Sequence, residues 1–218
     1  MNSWDNVLKF NIPEGEVGAI HVNGQLLWKK PKVNPTEYKE VEYLESTGTQ
    51  WIDTGMTINT ATDEIELVFQ NKETTIYKWI FGEHDNGARF GLGSGDGVNK
   101  RNVAYGASTY KVNDTSQYDT QHIFTANSKG VFLDGVNIRA FSSFKSTSTI
   151  YLFNLNLNST GDYRGRAKIW SYKHKRNGEL ICELIPCYRL SDNKKGMYDT
   201  ISKTFLTNNG TGEFLISN

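Results

Sequence analysis

Along the chain, short runs in which apolar and polar residues alternate are cut every few positions by Gly, Asn, Asp, Ser or Thr. In DEIELVFQ, Ile65, Leu67 and Phe69 fall on one face and Glu64, Glu66 and Val68 on the other, the period of a strand with one buried side. Runs of the same kind stand at VEYL, TQWIDTG, YKWIFGE, ARFGLGS, NVAYGAS, QHIFTANS and TIYLFNLNL. No window keeps an apolar stripe at i, i+3, i+4 and i+7 for long, so no long helix is predicted. Three dipeptides mark two-residue hairpin turns, because Asn or Asp followed by Gly tolerates the positive φ of a type I′ turn. Asn23-Gly24 separates VGAIHV from QLLWKK, Asp134-Gly135 separates GVFL from VNIRAF, and Asn177-Gly178 separates RAKIWSYKHKR from ELICELIPC. Many short antiparallel strands predict an all-β chain, folded as a sandwich or jelly roll.

The pattern breaks once, at KKPKVNPTEYKE, where Pro31 and Pro35 interrupt a polar, lysine-rich stretch that cannot continue a sheet ladder. Residues 1–33 therefore read as a short β-rich attachment segment and residues 34–218 as the sandwich domain. Two or three strands are too few for an independent core, so the first segment is expected to dock on the main domain, another copy or a larger assembly.

Composition changes the picture in a few places. The hydrophobic fraction is only 37% while aromatics supply 12%, so the core must rest on few, large side chains, which suits sheets. Basic and acidic residues balance at 24 each, which lacks the electrostatic footprint of a nucleic-acid-binding surface. The start, MNSWDNVLKFNIPEGE, lacks the basic and apolar regions of a signal peptide, and no stretch approaches the ~20 apolar residues of a membrane span; a soluble protein without membrane insertion is expected. Cys182 and Cys187 lie in ELICELIPCYRL, too far apart along an extended strand for a disulfide, so free thiols are expected. No second cysteine pair completes a zinc site.

Catalytic chemistry finds little support. Glu64 and Glu66 share a face at the spacing of a glycosidase carboxylate pair, yet they lie opposite Ile65, Leu67 and Phe69, as on a solvated strand face. GLGSGDG, residues 91–97, departs from both phosphate-loop patterns and is followed by no helix, so it reads as a loop between strands. His21, His84, His122 and His174 show neither metal-ligand spacing nor a nucleophile partner. The stretch 82–106 gathers Asp85, Asn86, Arg89, Asp96, Asn99, Arg101 and Tyr105 among glycines. Planar polar groups beside aromatic rings, on loops over a rigid sandwich, are what a sugar site needs. The same oxygen-rich stretch has donors suited to Ca²⁺, although no specific calcium motif is present and no other cofactor is implied.

Three stretches together resemble a known domain type. VEYLESTGTQWIDTG (41–55), HIFTANSKGVFLDGVNI (122–138) and the block from Tyr163 to Phe214, which holds GRAKIWSYKHKRNG, Met197-Tyr198-Asp199 and a Gly-Thr-Gly tail, resemble the concanavalin A-like, laminin G-like jelly-roll domains of phage structural proteins and their prophage relatives. The resemblance covers about residues 37–218; EGEVGAIHVNGQLLWKKP more weakly resembles the hairpin preceding such domains in phage tail and head proteins. It implies a non-enzymatic virion protein. Residues 1–33 would contact other virion proteins, and the sandwich would be displayed towards host-surface glycans, in an oligomer such as a trimer. A purely structural capsid-decoration, head-fibre or tail subunit is the alternative, and a polysaccharide hydrolase a third reading. The shared residues themselves read as structural: Glu45, Ser46, Thr47, Gly48 and Gln50 as a turn, Trp51 and Trp170 as core fillers, Met197, Tyr198 and Asp199 as a returning strand and corner.

Overall fold

A computed structural model describes residues 19–22, 25–29, 32–73, 75–85, 87–95, 100–106, 108–113, 120–139, 142–157 and 163–217. The chain divides into one unit at residues 1–32 and a second at 33–218. Of the first, β1 (Ala19–Val22) and β2 (Gln25–Lys29) form an antiparallel pair; the Asn23-Gly24 turn predicted between them lies outside the described residues.

The second unit carries β3 (Tyr38–Glu40), β4 (Leu44–Thr47), β5 (Ile52–Asn59), β6 (Asp63–Asn71), β7 (Trp79–Asp85), β8 (Ala88–Ser94), β9 (Lys100–Gly106), β10 (Ser108–Asn113) and β11 (Gln121–Asn127). There follow β12 (Gly130–Leu133), β13 (Val136–Arg139), β14 (Lys145–Leu152), β15 (Asn156–Leu157), β16 (Arg166–Arg176), β17 (Glu179–Arg189), β18 (Lys195–Asp199), β19 (Phe205–Thr207) and β20 (Leu215–Ile216). Among the described residues there is no helix. A seven-stranded sheet runs β10-β9-β8-β7-β14-β5, with β15 added parallel to β7. The larger sheet of eleven runs β13-β12-β11-β6-β16-β17-β18-β19, with β3 on β17, β4 on β16 and β20 on β4. The all-β sandwich expected from the alternation is the fold.

Alternation becomes burial. On β6, Ile65, Leu67 and Phe69 are buried, while Glu64 and Glu66 face out opposite Lys175 and Lys173 of β16; Lys173 Nζ lies 2.7 Å from Glu66 Oε1. The two sheets meet through rings: Phe124 of β11 approaches Phe81 of β7 edge-on at 4.9 Å and 70°, and Phe90 of β8 at 6.3 Å. Such rings combine large apolar area with edge-to-face attraction, which lets a chain poor in aliphatic residues build a core. Both remaining predicted hairpin turns have left-handed backbone at both central residues, Asp134 (φ 51°) with Gly135 (φ 77°) and Asn177 (φ 52°) with Gly178 (φ 80°).

The family-like residues hold the two ends of the domain together. Gln50 Oε1 accepts from the Thr47 amide at 2.8 Å, and its Nε2 donates to the Glu213 carbonyl at 3.0 Å. The Thr49 hydroxyl donates to the Thr211 carbonyl at 2.9 Å, and the Asn209 amide to that of Trp51 at 2.8 Å. Asp199 ties its corner by accepting from the Glu183 and Ile201 amides, each at 3.0 Å. Two expectations need correcting. Neither Trp51 nor Trp170 fills the core: Trp51 stacks at 4.3 Å on Tyr151, and Trp170 sits half-buried beside Tyr43 at 5.4 Å. Cys182 and Cys187 are free and buried, and burial pushes the Cys187 thiol up to about 12.

Candidate functional site

The stretch 82–106, which holds the predicted strands ARFGLGS and NVAYGAS as well as the proposed ligand loop, consists mostly of β7, β8 and β9. GLGSGDG is likewise strand over its first half, since Gly91–Ser94 closes β8. Its glycines reflect crowding. A Cβ on Gly93 would lie 2.6 Å from the Lys78 carbonyl oxygen and 2.9 Å from the Trp79 ring, so only glycine lets that ring lie against the strand. Gly82, Gly91 and Ala104 pair in register across the three strands and keep the same face low.

On this outer face, Trp79 packs with Ala104, Leu155 and Tyr163 in a cluster separate from the main core. The chain after β14 returns to supply the second wall. β15 pairs with β7 through Asn156↔Glu83 and Leu157↔His84, and the Trp79 amide donates to the Tyr163 carbonyl at 2.8 Å. The Tyr163 amide donates to Asn154 Oδ1 at 3.1 Å. Between the walls lies a cavity of about 440 Å³ lined by Tyr77, Trp79, His84, Arg89, Asn102, Leu155, Leu157 and Tyr163. Its size, apolar walls and few convergent polar groups are those of a small-ligand site.

Two of those polar groups are without partners among the described residues. Asn102, 6% exposed, donates from Nδ2 to the Ser94 carbonyl at 3.1 Å and leaves a buried Oδ1 that accepts nothing. His84 Nδ1 is buried without a partner as well. Burial lowers the His84 pKa, the Arg89 charge lowers it further, and Asp85 pulls weakly the other way, so the imidazole is neutral near pH 7. A buried polar atom left without a partner costs about 1–3 kcal/mol. Tyr77, half exposed at the cavity, holds a left-handed backbone (φ 58°), rare for a bulky residue and typical of ligand clamps.

The predicted constellation is divided by the sheet. Arg89, opposite His84 in register, lines the cavity. Arg101 and Tyr105 alternate with Asn102 and Ala104 on β9 and point into the sandwich: Arg101 is 4% exposed with its guanidinium 5.5 Å from the Phe69 ring, and Tyr105 is buried in the core with its hydroxyl 3.2 Å from the Asn127 carbonyl. Asp85 accepts from the Thr147 amide at 3.0 Å and from its hydroxyl, which ties β7 to β14. Asn86, Asp96 and Asn99 lie outside the described residues. Among the described residues no group of three His, Cys, Asp or Glu is placed to hold a metal ion. The sequence reading missed Trp79, His84, Asn102, Leu155, Leu157 and Tyr163 as lining residues. The signal that could have found part of the wall is Gly91-x-Gly93 inside a strand pattern, which marks a close approach on one face.

No family model matches the sequence, and no curated protein sequence matches it. Five solved chains match its structure. One is a candidate carbohydrate-binding protein from Bacteroides ovatus, 13% identical, with a TM-score of 0.53, matched over 82% of this chain and 60% of that one. This chain thus spans 60% of that structure, less than two thirds, and the likeness is one of fold.

Other titratable groups are occupied elsewhere. Asp63, His174, Tyr172 and Arg176 form a buried network: His174 Nε2 lies 2.8 Å from Asp63 Oδ2, the Tyr172 hydroxyl 3.2 Å from His174 Nδ1, and Arg176 grips Asp63 with two bonds of 2.8 Å. His122 lies 2.6 Å from Asp134, whose turn it braces. Glu83 is fully buried on the core side of β7, accepts from the Ser146 hydroxyl, and is raised to about 8, by burial first and Asp85 second. On the outer face of the larger sheet, Tyr43 and Trp170 form the other aromatic patch, with Lys168 Nζ 3.9 Å from the Tyr43 ring.

Proposed function

We propose that this chain is a non-enzymatic carbohydrate-binding module whose site is the cavity on the outer face of the seven-stranded sheet. The observation that carries the reading is the meeting of two tyrosine rings, Tyr163 and the half-exposed Tyr77, with the polar side chains of Asn102, His84 and Arg89 in one cavity floored by Trp79. A sugar offers both complements, an apolar ring face to stack and hydroxyls to donate. The shared fold with a candidate carbohydrate-binding protein supports the reading. The non-enzymatic part rests on the absence of any carboxylate among the lining residues; Glu83 faces the other side of the sheet, and Glu64 and Glu66 are paired with lysines. Glycan-array screening of the intact chain, followed by calorimetry, tests it. Tyr163→Ala is expected to weaken a detected glycan at least about tenfold. No binding to any glycan or host surface at millimolar sugar would sink the reading.

The resemblance of residues 41–55, 122–138 and 163–214 to phage structural proteins supports placing this module on a virion surface, attached through residues 1–33 to other virion proteins and displayed as an oligomer. Several copies would multiply a weak single-site affinity. A purely structural subunit is the second reading, favoured by the fact that Ser46, Thr47, Thr49, Gln50 and Asp199, the family-like residues, hold the fold and line no cavity wall near Trp79. Mass spectrometry of purified particles, with and without residues 1–33, separates virion component from cellular lectin.

A further inference from the structure

We infer that the saccharide taken by this cavity is acidic, with an anionic group, a uronic-acid carboxylate in the first instance, seated on Arg89. The inference rests on the cavity being a sugar site and names the class of sugar. Arg89 makes no hydrogen bond or ion pair among the described residues, and none of the eight lining residues is acidic. The nearest carboxylate in sequence, Asp85, is turned to β14, where Thr147 donates to it twice. His84, directly opposite Arg89 in the β7–β8 register, is held neutral and so neither repels the guanidinium nor supplies a counter-charge. Among the described residues the wall therefore presents one cation without an ion-pair partner beside the side chains of Asn102 and His84 and the rings of Tyr77 and Tyr163.

A guanidinium is a rigid fork of donors whose best partner is a planar carboxylate bound through two parallel hydrogen bonds. A uronic acid satisfies the whole wall at once. Its carboxylate would meet Arg89, its hydroxyls the polar side chains of Asn102 and His84, and its apolar ring face the ring of Tyr163 or Tyr77. A neutral hexose would meet the other side chains but leave the guanidinium to water. A sugar phosphate shares the anionic chemistry without the planar match.

The test is calorimetry on the full chain with three probes: oligogalacturonate, the same oligomer with its carboxyls reduced to alcohols, and a poly(glycerol phosphate). Oligogalacturonate is expected to bind at least about tenfold tighter than its reduced form, and that preference should weaken as salt rises. Arg89→Gln should abolish the preference and Arg89→Lys should restore only part of it, with unchanged circular dichroism showing that both variants fold. Phosphate polymer binding above oligogalacturonate would keep the anionic group and identify it as phosphate. Equal binding of the acidic and reduced oligomers, untouched by Arg89→Gln, overturns the inference while leaving the carbohydrate reading intact. Silence from every saccharide overturns both.

Discussion

Asn102 and Arg101 are neighbours with opposite fates: one lines a cavity on the outer face, the other lays its guanidinium over Phe69 inside the sandwich. Strand alternation dictates the split, and it explains why a cluster of polar residues close in sequence does not become a cluster in space. Glu83 and His84 repeat the division on β7. Two buried carboxyls, Asp63 and Glu83, set opposed pH effects on stability. Burial works to raise the Asp63 carboxyl, but the bonds from Arg176, the Asn59 amide and His174 overcome it and hold the group at about 2. Asp63 thus contributes about 2 kcal/mol that is present above its unfolded value of 3.8 and lost as pH falls through about 2. Glu83 has the opposite sign. Its unfolded carboxyl ionises near 4.5 while the folded one keeps its proton to about 8, so stability falls as pH rises across that window. Glu83→Gln is expected to remove the alkaline loss and leave the acid loss unchanged, as read by urea unfolding at about pH 2, about pH 5 and about pH 9. Parallel pH profiles for variant and parent would refute this assignment.

At the scale of elements, the legible parts were those whose chemistry is local. Asp134-Gly135 and Asn177-Gly178 were readable because left-handed backbone restricts the residues that can occupy such turns, and β6 because its apolar face is strictly alternate. β8 and most of β9 were legible as the runs ARFGLGS and NVAYGAS, but GLGSGDG reads as loop because Gly and Asp are what loops contain. Here the glycines of β8 answer to the Trp79 ring, a tertiary partner that no local pattern reveals. Trp51 and Trp170 misled in the other direction: large rings read as core, yet they cover the outer faces of the two sheets. The Gln50 clasp joins residues more than 160 positions apart, Gln50 Nε2 to the Glu213 carbonyl. Gln50→Ala strands the Thr47 amide and the Glu213 carbonyl and should cost about 1–3 kcal/mol without altering ligand affinity, as measured by thermal unfolding and calorimetry on the same sample. A loss of affinity equal to the loss of stability would show that the clasp and the cavity are one cooperative unit.

For the molecule as a whole, the sequence pattern led to a sandwich but not to which of its outer faces carries a ligand. That depends on residues 153–157 and 163–165 lying beside β7, fixed by the Gly165 amide on the Phe153 carbonyl at 2.9 Å and the Trp79 amide on the Tyr163 carbonyl. Only then do Leu155, Leu157 and Tyr163 stand opposite His84, Arg89 and Asn102. The rival face is the larger sheet with Tyr43, Trp170 and Lys168, where Trp170 Nε1 already donates to Glu42 and Lys168 already covers the Tyr43 ring. A ligand there would find its polar groups engaged. The most direct test is a nuclear magnetic resonance titration of the intact chain with an acidic oligosaccharide. The account predicts shift changes centred on the Trp79 indole, His84, Arg89, Asn102 and Tyr163, with Trp170 silent; changes centred on Tyr43 and Trp170, with the cavity silent, would contradict it.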